Sequence, residues 1–302
     1  MSKIFLTGGS GLLALNWCYF KSSDYSITLI LHSREIRLKS IDTIFLDLSS
    51  KEELEKFFSN IDSAIIINCA ALTDVDLCEA DMELANEVNT LIPEKLSFFC
   101  NKYGHKFIQI STDQIFNGKS SFYNEEFPIE PINSYGKTKA LSEQLIQENC
   151  NNSLIIRTNF FGWGTSYRTS FSDFLVNSIR ENKKINLYED LFYTPIYIGV
   201  LVDYIHLLID QDSTGVFNIV SNERVSKFEF GKCLFDIFNG DFTLINKANY
   251  EYTKTHAQRP NDMSLDNKKL KSKLGIKIPS VFKQILLLKN DEYRIKNFLR
   301  DI

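Results

Sequence analysis

The sequence of 302 residues lacks the features that mark several classes of protein. It has no apolar run near the roughly eighteen residues that span a membrane, so we expect no membrane partner. Its net charge of −4 offers no basic excess, and nucleic acid is therefore not expected as a partner. The amino-terminal segment has neither the long apolar region nor the small-residue cleavage site of a signal peptide, which predicts a cytoplasmic protein.

Metal-binding and disulfide patterns are also missing. There are four histidines, and the six cysteines occur without C-x-x-C spacing at Cys18, Cys69, Cys78, Cys100, Cys150 and Cys233. A zinc site needs its ligands clustered, and structural disulfides belong mainly to oxidising compartments. We therefore expect no metal site, and we expect reduced thiols that are mostly buried.

Short apolar segments alternate with helical ones through the first half of the chain. The predicted strands are residues 3–7, 26–31, 43–47, 64–68, 106–112 and 153–158. Helices are predicted between them, among them one long helix over about 81–103. Strands that are apolar throughout are typical of a parallel sheet covered on both faces. The sequence therefore predicts an α/β fold with a doubly wound parallel sheet.

After residue 158 the alternation becomes irregular, although GVFNIV (215–220) again reads as a buried strand of the main sheet. We therefore predict two parts. A Rossmann domain that binds a dinucleotide would comprise residues 1–158 with about 192–221. A smaller, carboxyl-terminal substrate-binding lobe would comprise about 159–191 and 222–302.

A glycine-rich loop, TGGSGLLA (7–14), follows the first strand and opens the first helix. At this junction glycines permit a tight turn and close approach of the backbone to a phosphate, and the helix amino terminus favours a negative charge. The loop therefore predicts contacts to a dinucleotide from Gly8, Ser10, Gly11 and Leu12. A purely structural turn is the alternative.

The end of the second strand bears on the choice of dinucleotide. NAD is usually held there by a carboxylate on the ribose 2′-hydroxyl, whereas LILHSREIR (29–37) places Arg34 just past the strand. An arginine suits a 2′-phosphate, so NADPH is the predicted cofactor and NADH the alternative. Asp47 and Leu48, after the third strand, are predicted to contact the adenine side. The alternatives are an exposed cation for Arg34 and a helix-capping role for Asp47.

The segment SYGKTKALSEQ (134–144) places Tyr135 and Lys139 four residues apart at the start of a predicted helix, on one face. A nearby positive charge favours a phenolate and lowers a tyrosine pKa that is normally about 10. A tyrosine tuned in this way can act as a general acid or base. Because a Y-x-x-x-K match alone is weak, coincidence stays open until the surrounding motifs are considered.

Further motifs follow in order. They are INCAALTDVDLCE (67–79), ISTDQIFNG (110–118), RTNFFGWG (157–164), FYTPIYI (192–198) and RPNDMSLDNKKL (259–270). Together with the glycine loop and SYGKTK, they make the whole chain resemble an extended short-chain dehydrogenase/reductase. More narrowly, the chain resembles the dTDP-4-dehydrorhamnose reductase group.

The resemblance implies catalytic roles for three residues. Tyr135 would protonate the substrate carbonyl oxygen as hydride arrives, and Thr112 would hydrogen-bond the same oxygen. Lys139 would lower the pKa of the tyrosine and hold the nicotinamide ribose. Ala70 and Ala71 would line the nicotinamide side of the cavity, as in the family.

The resemblance also implies substrate contacts, which we expect from Asp113, Gln114, Asn159, Trp163 and Arg259. Dehydratases of the superfamily resemble T-D-E at 112–114, and Gln114 cannot titrate, which argues against a dehydratase. The reductase group typically carries tyrosine at this position, so Gln114 departs from that pattern too. Arg259 matches an arginine that contacts the nucleotide diphosphate in relatives. The alternatives are loop capping for Asp113, core packing for Trp163 and a surface ion pair for Arg259.

The sequence therefore predicts an NADPH-dependent reductase of a nucleotide-activated 4-keto-6-deoxy sugar, in deoxysugar or surface polysaccharide biosynthesis. The alternatives are a sugar-nucleotide epimerase or epimerase-reductase, and a non-catalytic regulatory subunit that binds NADP. The base, the sugar and the stereochemistry of the product are left open. Apolar residues on the helices at about 81–103 and 135–149 also favour a homodimer, although a stripe on each is needed to cover the sheet.

Overall fold

The structure, a computed structural model, describes residues 3–253, 256–300 and 302. The strands are β1 (Lys3–Thr7), β2 (Ser26–Leu31), β3 (Asp42–Phe45), β4 (Ala64–Asn68), β5 (Lys106–Thr112), β6 (Ser153–Thr158), β7 (Phe160–Phe161), β8 (Ile185–Tyr188), β9 (Phe192–Tyr193), β10 (Ile196–Tyr197), β11 (Gly215–Asn218), β12 (Val225–Ser226) and β13 (Ile245–Ala248). The helices are α1 (Leu12–Lys21), α2 (Lys51–Ser59), α3 (Val75–Ala80), α4 (Met82–Asn86), α5 (Ile92–Tyr103), α6 (Ser134–Asn149), α7 (Phe171–Arg180), α8 (Ile198–Asp210), α9 (Lys227–Ile237), α10 (Lys268–Leu274) and α11 (Val281–Phe298). A π-helical segment (Glu87–Leu91) joins α4 to α5, and a 3₁₀ turn (Phe242–Leu244) precedes β13.

Within the described residues, one sheet contains seven parallel strands in the order β11-β6-β5-β4-β1-β2-β3. The chain builds the sheet outward from β1 through β2 and β3, then returns to the other side of β1 with β4. The switch point between β1 and β4 is where open α/β sheets form a ligand crevice at the carboxyl ends of their strands. The predicted doubly wound parallel sheet is confirmed, with β3 and β11 ending two residues earlier than predicted.

Successive side chains of each strand point to opposite faces of the sheet and belong to two hydrophobic cores, one on each face. Ile4 and Leu6 of β1 belong to the core beneath α1 and α8, whereas Phe5 belongs to the core beneath α2, α5 and α6. Both sides of β1 are therefore covered, which is why its sequence is continuously apolar. Ser50 caps α2 by accepting a hydrogen bond from the Glu53 amide, which fixes where that helix begins.

The predicted long helix over about 81–103 is interrupted. Asp81 caps the short helix α4, and the π-helical segment separates α4 from α5. Asn89 in this segment is fully buried, and its side chain accepts from the Leu72 amide (2.9 Å) and donates to the Leu72 carbonyl (3.0 Å). The same amide nitrogen contacts the Thr138 hydroxyl at 3.3 Å. The π turn therefore places one side chain where it holds the loop after β4 to helix α6.

The later part of the chain packs onto one face of the sheet. Its short strands pair as β7 with β10, β9 with β12 and β8 with β13. Phe230 and Leu234 of α9 and Ile285 of α11 join the same core as α1 and α8, so this core continues from the sheet into the later segments. β11 returns to the main sheet beside β6, as expected for residues 215–218.

The cysteines are free thiols, as predicted. Cys18, Cys78, Cys100 and Cys150 are buried, and Cys69 and Cys233 are partly buried. Burial raises the pKa of the Cys78 thiol to about 11, so it stays protonated near neutral pH. None of the helices in the described segments is both long enough and apolar enough to cross a membrane.

Candidate functional site

A cavity of about 720 Å³ opens at the carboxyl ends of β1, β4, β5 and β6. Most of the predicted site residues line it, from both the cofactor and the catalytic set. These are Gly8, Ser10, Gly11, Leu12, Asp47, Leu48, Ala70, Ala71, Thr112, Asp113, Gln114, Tyr135, Lys139 and Asn159. Parallel strands bring these residues together because their carboxyl ends share one edge of the sheet.

The glycine loop forms one wall of the cavity. Gly8 has φ +61°, and a Cβ atom there would lie 2.8 Å from the Ala70 backbone, so the turn requires glycine. Gly11 donates its amide to the Gly8 carbonyl (2.7 Å) and leads into α1, which has no side-chain cap at its amino terminus. An uncapped helix start facing a cavity can hold an anion such as a pyrophosphate. The wall therefore fits a dinucleotide.

The part of the cavity where adenine contacts are predicted is bounded by residues after β2 and β3. His32, Asp47, Leu48 and Ser49 line it. The Asp47 carboxylate accepts from the Ser49 hydroxyl (2.7 Å) and amide (2.9 Å), and these hydrogen bonds hold the pKa of that carboxyl below its usual range. Asp47 does not cap α2, because Ser50 does.

Arg34 lies outside the residues that line the cavity. It is exposed, and its guanidinium stacks on the Tyr167 ring at 4.0 Å from the centroid. The Tyr167 hydroxyl in turn donates to the Ser10 carbonyl at 3.0 Å. Arg34 is therefore held at the rim beside the glycine loop, by a tyrosine that the sequence motifs did not single out.

Helix α6 brings Tyr135 to the cavity. Asn133 caps the helix by accepting from the Gly136 amide (2.8 Å), and its side chain donates to Gln114 (3.2 Å). A Cβ atom at Gly136 would overlap the Gln114 carbonyl oxygen, so only glycine lets the helix approach the loop after β5 this closely. Tyr135 is thereby pressed against the end of β5.

Tyr135 is 8% exposed, and burial raises the pKa of its phenol well above the usual range, while a hydrogen bond with Thr112 opposes the shift. Lys139 is 2% exposed and donates from Nζ to the Ile110 carbonyl at 2.7 Å. Burial lowers the pKa of Lys139 to about 8, and the Glu143 charge opposes that shift. Burial thus favours the protonated phenol, which is the form that donates a proton, and a lowering of this pKa by Lys139 stays a prediction.

Asp113 is the buried carboxyl of the cavity. Its Oδ2 accepts from Asn159 Nδ2 at 2.7 Å, and its Oδ1 accepts from the Thr112 hydroxyl at 3.2 Å. Burial raises its pKa to about 6, with the Asn159 hydrogen bond opposing. Gln114 lines the cavity beside it, with its side-chain oxygen bonded to Asn133. The expected Asp113, Gln114 and Asn159 thus stand together.

Two predicted substrate residues lie elsewhere. Trp163 is 1% exposed in the hydrophobic core, where its indole donates to the Leu288 carbonyl at 2.8 Å. Trp163 therefore has the core-packing role, because the only polar atom of its side chain donates to a carbonyl outside the cavity. Arg259 is not among the cavity-lining residues, and it forms an ion pair with Asp76 at 2.9 Å. That pair corresponds to the alternative considered for Arg259.

The loop before α7 and the first residue of that helix supply cavity residues that the sequence did not identify. Arg168, Thr169, Ser170 and Phe171 line the cavity. Arg168 donates to the Thr73 hydroxyl at 3.0 Å, which joins this loop to the loop after β4. The run TSYRTS carries no dinucleotide motif, so only its position in the fold reveals it. Within the described segments, no group of three histidine, cysteine or acidic side chains could hold a metal ion.

Comparison with known proteins gives matches along nearly the whole chain. Haloferax volcanii has a probable low-salt glycan biosynthesis reductase, Agl14, that is 28% identical over 92% of this chain and 94% of its own. The dTDP-4-dehydrorhamnose reductase of Escherichia coli K12 is 27% identical over 77% and 81%. Among solved structures, a hypothetical dTDP-4-dehydrorhamnose reductase from Sulfolobus tokodaii has a TM-score of 0.80 at 29% identity, over 92% of this chain and 96% of that chain.

More distant structures share the fold. The dTDP-4-dehydrorhamnose reductase of Bacillus anthracis, solved in complex with NADP, has a TM-score of 0.83 at 24% identity and covers 96% of this chain and 100% of its own. The family model described as the RmlD substrate binding domain matches residues 2–291. The chain therefore belongs to the RmlD substrate-binding-domain family, within the extended short-chain dehydrogenase/reductases.

Proposed function

We propose that the protein is an NADPH-dependent reductase of a nucleotide-activated 4-keto-6-deoxy sugar, acting in the cytoplasm in glycan or deoxysugar biosynthesis. The observation that carries this proposal is the position of Tyr135. A buried, protonated phenol stands beside Thr112 in the same cavity as a glycine loop that fits a pyrophosphate. The reductase names of the relatives support the reaction class.

The proposed mechanism divides the work among three side chains. NADPH, when bound, supplies a hydride. Tyr135 donates its proton to the carbonyl oxygen of the sugar, and the Thr112 hydroxyl holds that oxygen in place. Lys139, anchored on the Ile110 carbonyl, places a cation beside the cavity that would stabilise the phenolate left when Tyr135 gives up its proton, and it can hold a ribose hydroxyl.

Gln114 supports reduction over dehydration. Elimination of water from the sugar would need a second titrating group beside Asp113, and the Gln114 amide is bonded to the helix-capping Asn133. The non-catalytic alternative is disfavoured by the assembly of Thr112, Tyr135 and Lys139 on one cavity. We also propose that residues 159–191 and 222–302 form the substrate lobe.

A substrate panel tests the proposal directly. Purified protein is mixed with NADPH and keto-sugar nucleotides that differ in base and sugar, and NADPH oxidation is followed by absorbance. We expect oxidation with at least one nucleotide, with the configuration of the new hydroxyl read by NMR. Binding of NADPH with no oxidation across the panel would favour the regulatory alternative instead.

Arg34→Ala is expected to weaken NADPH binding by about 1.5–3 kcal/mol, the range for a hydrogen bond to a charged group, and to leave NADH binding nearly unchanged. The Tyr167 ring already holds the Arg34 guanidinium at the cavity rim, so the side chain is positioned before a 2′-phosphate binds. Titration of cofactor fluorescence measures both affinities. Arg37→Ala is the matched control, because Arg37 is exposed and paired with Glu35 at 2.8 Å. Equal losses for both cofactors would show that Arg34 does not read the 2′-phosphate.

We also propose a homodimer through the surface of α4, the π segment, α5 and α6. Five large apolar side chains are exposed there, namely Met82, Leu84, Leu91, Phe98 and Leu141. Light scattering at micromolar concentration should give twice the chain mass of 34.9 kDa, and Leu141→Glu should lower it. Tyr293→Glu, at an exposed site on α11, should not. A wild-type mass near that of one chain would rule the dimer out.

A further inference from the structure

Lys227, the first residue of α9, has a position that the proposed reaction does not use. Its Nζ lies 3.4 Å from the centroid of the Tyr193 ring and 5.1 Å from that of Phe171. Phe171 lines the cavity, and Tyr193 is 2% exposed beneath it. Lys227 is partly exposed, and its ammonium lies between two aromatic rings that can attract a cation, one of which belongs to the cavity wall.

The electrostatic surroundings of this lysine are unusual. A cation at a helix amino terminus opposes the helix dipole. The nearby Glu229 is engaged in the capping box with Ser226, and among the described residues no carboxylate forms an ion pair with Lys227. Burial lowers the pKa of Lys227 to about 8, and Asp113 is the charge that opposes this shift. The lysine is thus retained at a helix amino terminus that disfavours its charge, and it is near enough to Asp113 for the two charges to act on each other.

Unused hydrogen-bonding capacity surrounds Lys227. The Tyr193 hydroxyl is buried and, in the described part of the chain, has no hydrogen-bond partner. No hydrogen bond from the ammonium to a described side chain or carbonyl is present either, although it carries three donors. Asp113 accepts from Asn159 and Thr112 and keeps further acceptor capacity. Buried polar groups are nearly always satisfied, so the unpaired Tyr193 hydroxyl indicates a bound partner, for which the partly exposed Lys227 ammonium and Asp113 also have hydrogen-bonding capacity.

We propose that Lys227 and Asp113 form a hydroxyl-binding pair for the sugar ring of a nucleotide sugar, with Lys227 as a specificity-determining donor. A sugar presents neighbouring hydroxyls that both donate and accept, which matches an ammonium beside a carboxyl. A phosphate does not match this pair, because the Asp113 carboxylate would repel it. This inference rests on the proposed function and names the part of the substrate that the site recognises.

Calorimetric titration of the full chain tests the pair without requiring turnover. The probes are dTDP and dTDP-rhamnose, with UDP and UDP-glucose as a second pair. In the wild type we expect the sugar-bearing nucleotide of at least one pair to bind more tightly than the bare diphosphate. Lys227→Met keeps the length and apolar stem of the side chain, and should weaken the sugar-bearing nucleotide about 10-fold while leaving the bare diphosphate unchanged.

Two further variants define the outcome. Lys232→Met removes an exposed lysine from the same helix and should change neither affinity, and Lys227→Arg should restore part of the sugar-dependent gain. The inference is overturned when the wild type shows no such gain, or when Lys227→Met weakens both members of a pair equally. It is also overturned when that variant only lowers the melting temperature. Failure of the proposed reduction is recognised separately, as absence of NADPH oxidation in a wild type that still shows the gain.

Discussion

Tyr135→Phe is expected to lower turnover by roughly 100-fold or more, the scale of general acid catalysis. The substitution removes the proton that the phenol would donate and keeps the ring that fills its place against the loop after β5. Because burial favours the protonated phenol, the wild-type residue is in its donating form throughout the neutral range. Steady-state NADPH oxidation with the nucleotide sugar found in the substrate panel measures the effect.

The control for this loss is Tyr204→Phe. Tyr204 is similarly buried, at 9% exposed, but it lies on α8 and does not line the cavity. Its variant should keep normal turnover, and both variants should bind NADPH as the wild type does. Near-normal turnover in Tyr135→Phe would show that another group delivers the proton.

Arg157→Ala is expected to lower the free energy of unfolding by about 3–5 kcal/mol, the range for breaking a buried ion pair. Arg157 Nη2 lies 2.7 Å from Glu143 Oε2, with the two side chains 3% and 1% exposed. Glu143 also accepts from the Ser111 hydroxyl at 2.5 Å. Removal of the arginine leaves a buried carboxylate without its partner. Urea denaturation followed by circular dichroism measures the loss.

Two comparisons make this stability prediction specific. Lys102→Ala breaks the half-exposed pair with Glu55 and should cost much less, because solvent screens exposed charges. The double variant Arg157→Met/Glu143→Met removes both charges and should recover part of the loss. A loss from Arg157→Ala as small as that from Lys102→Ala would mean that the pair does not hold α6 against β5 and β6.

The strands and the catalytic core of the cavity could be predicted because their signals are local. Continuous apolar runs define β1 to β6, and parallel strands necessarily gather Gly8, Thr112 and Asn159 at one edge. The spacing of Tyr135 and Lys139 likewise fixes that they share a helical face. None of these inferences requires knowledge of how distant segments pack.

The parts that sequence did not predict depend on distant partners. The π segment differs from a regular helix by a local change of hydrogen bonding, and the partners that use it, Leu72 and Thr138, are far from Asn89 in sequence. Trp163 faces the core because a carbonyl 125 residues later accepts its proton. Lys227 belongs to no motif, and its importance arises only where the start of α9 lies beside Phe171 and Tyr193.

The contacts of Tyr167 with Ser10 and of Arg168 with Thr73 have a kinetic consequence. Both cross from the loop before α7 to a wall of the cavity, so they close over the space in which the proposed dinucleotide would lie. If this loop must detach before oxidised cofactor can leave, the rate of its detachment would limit turnover in the proposed reaction, however fast the hydride moves.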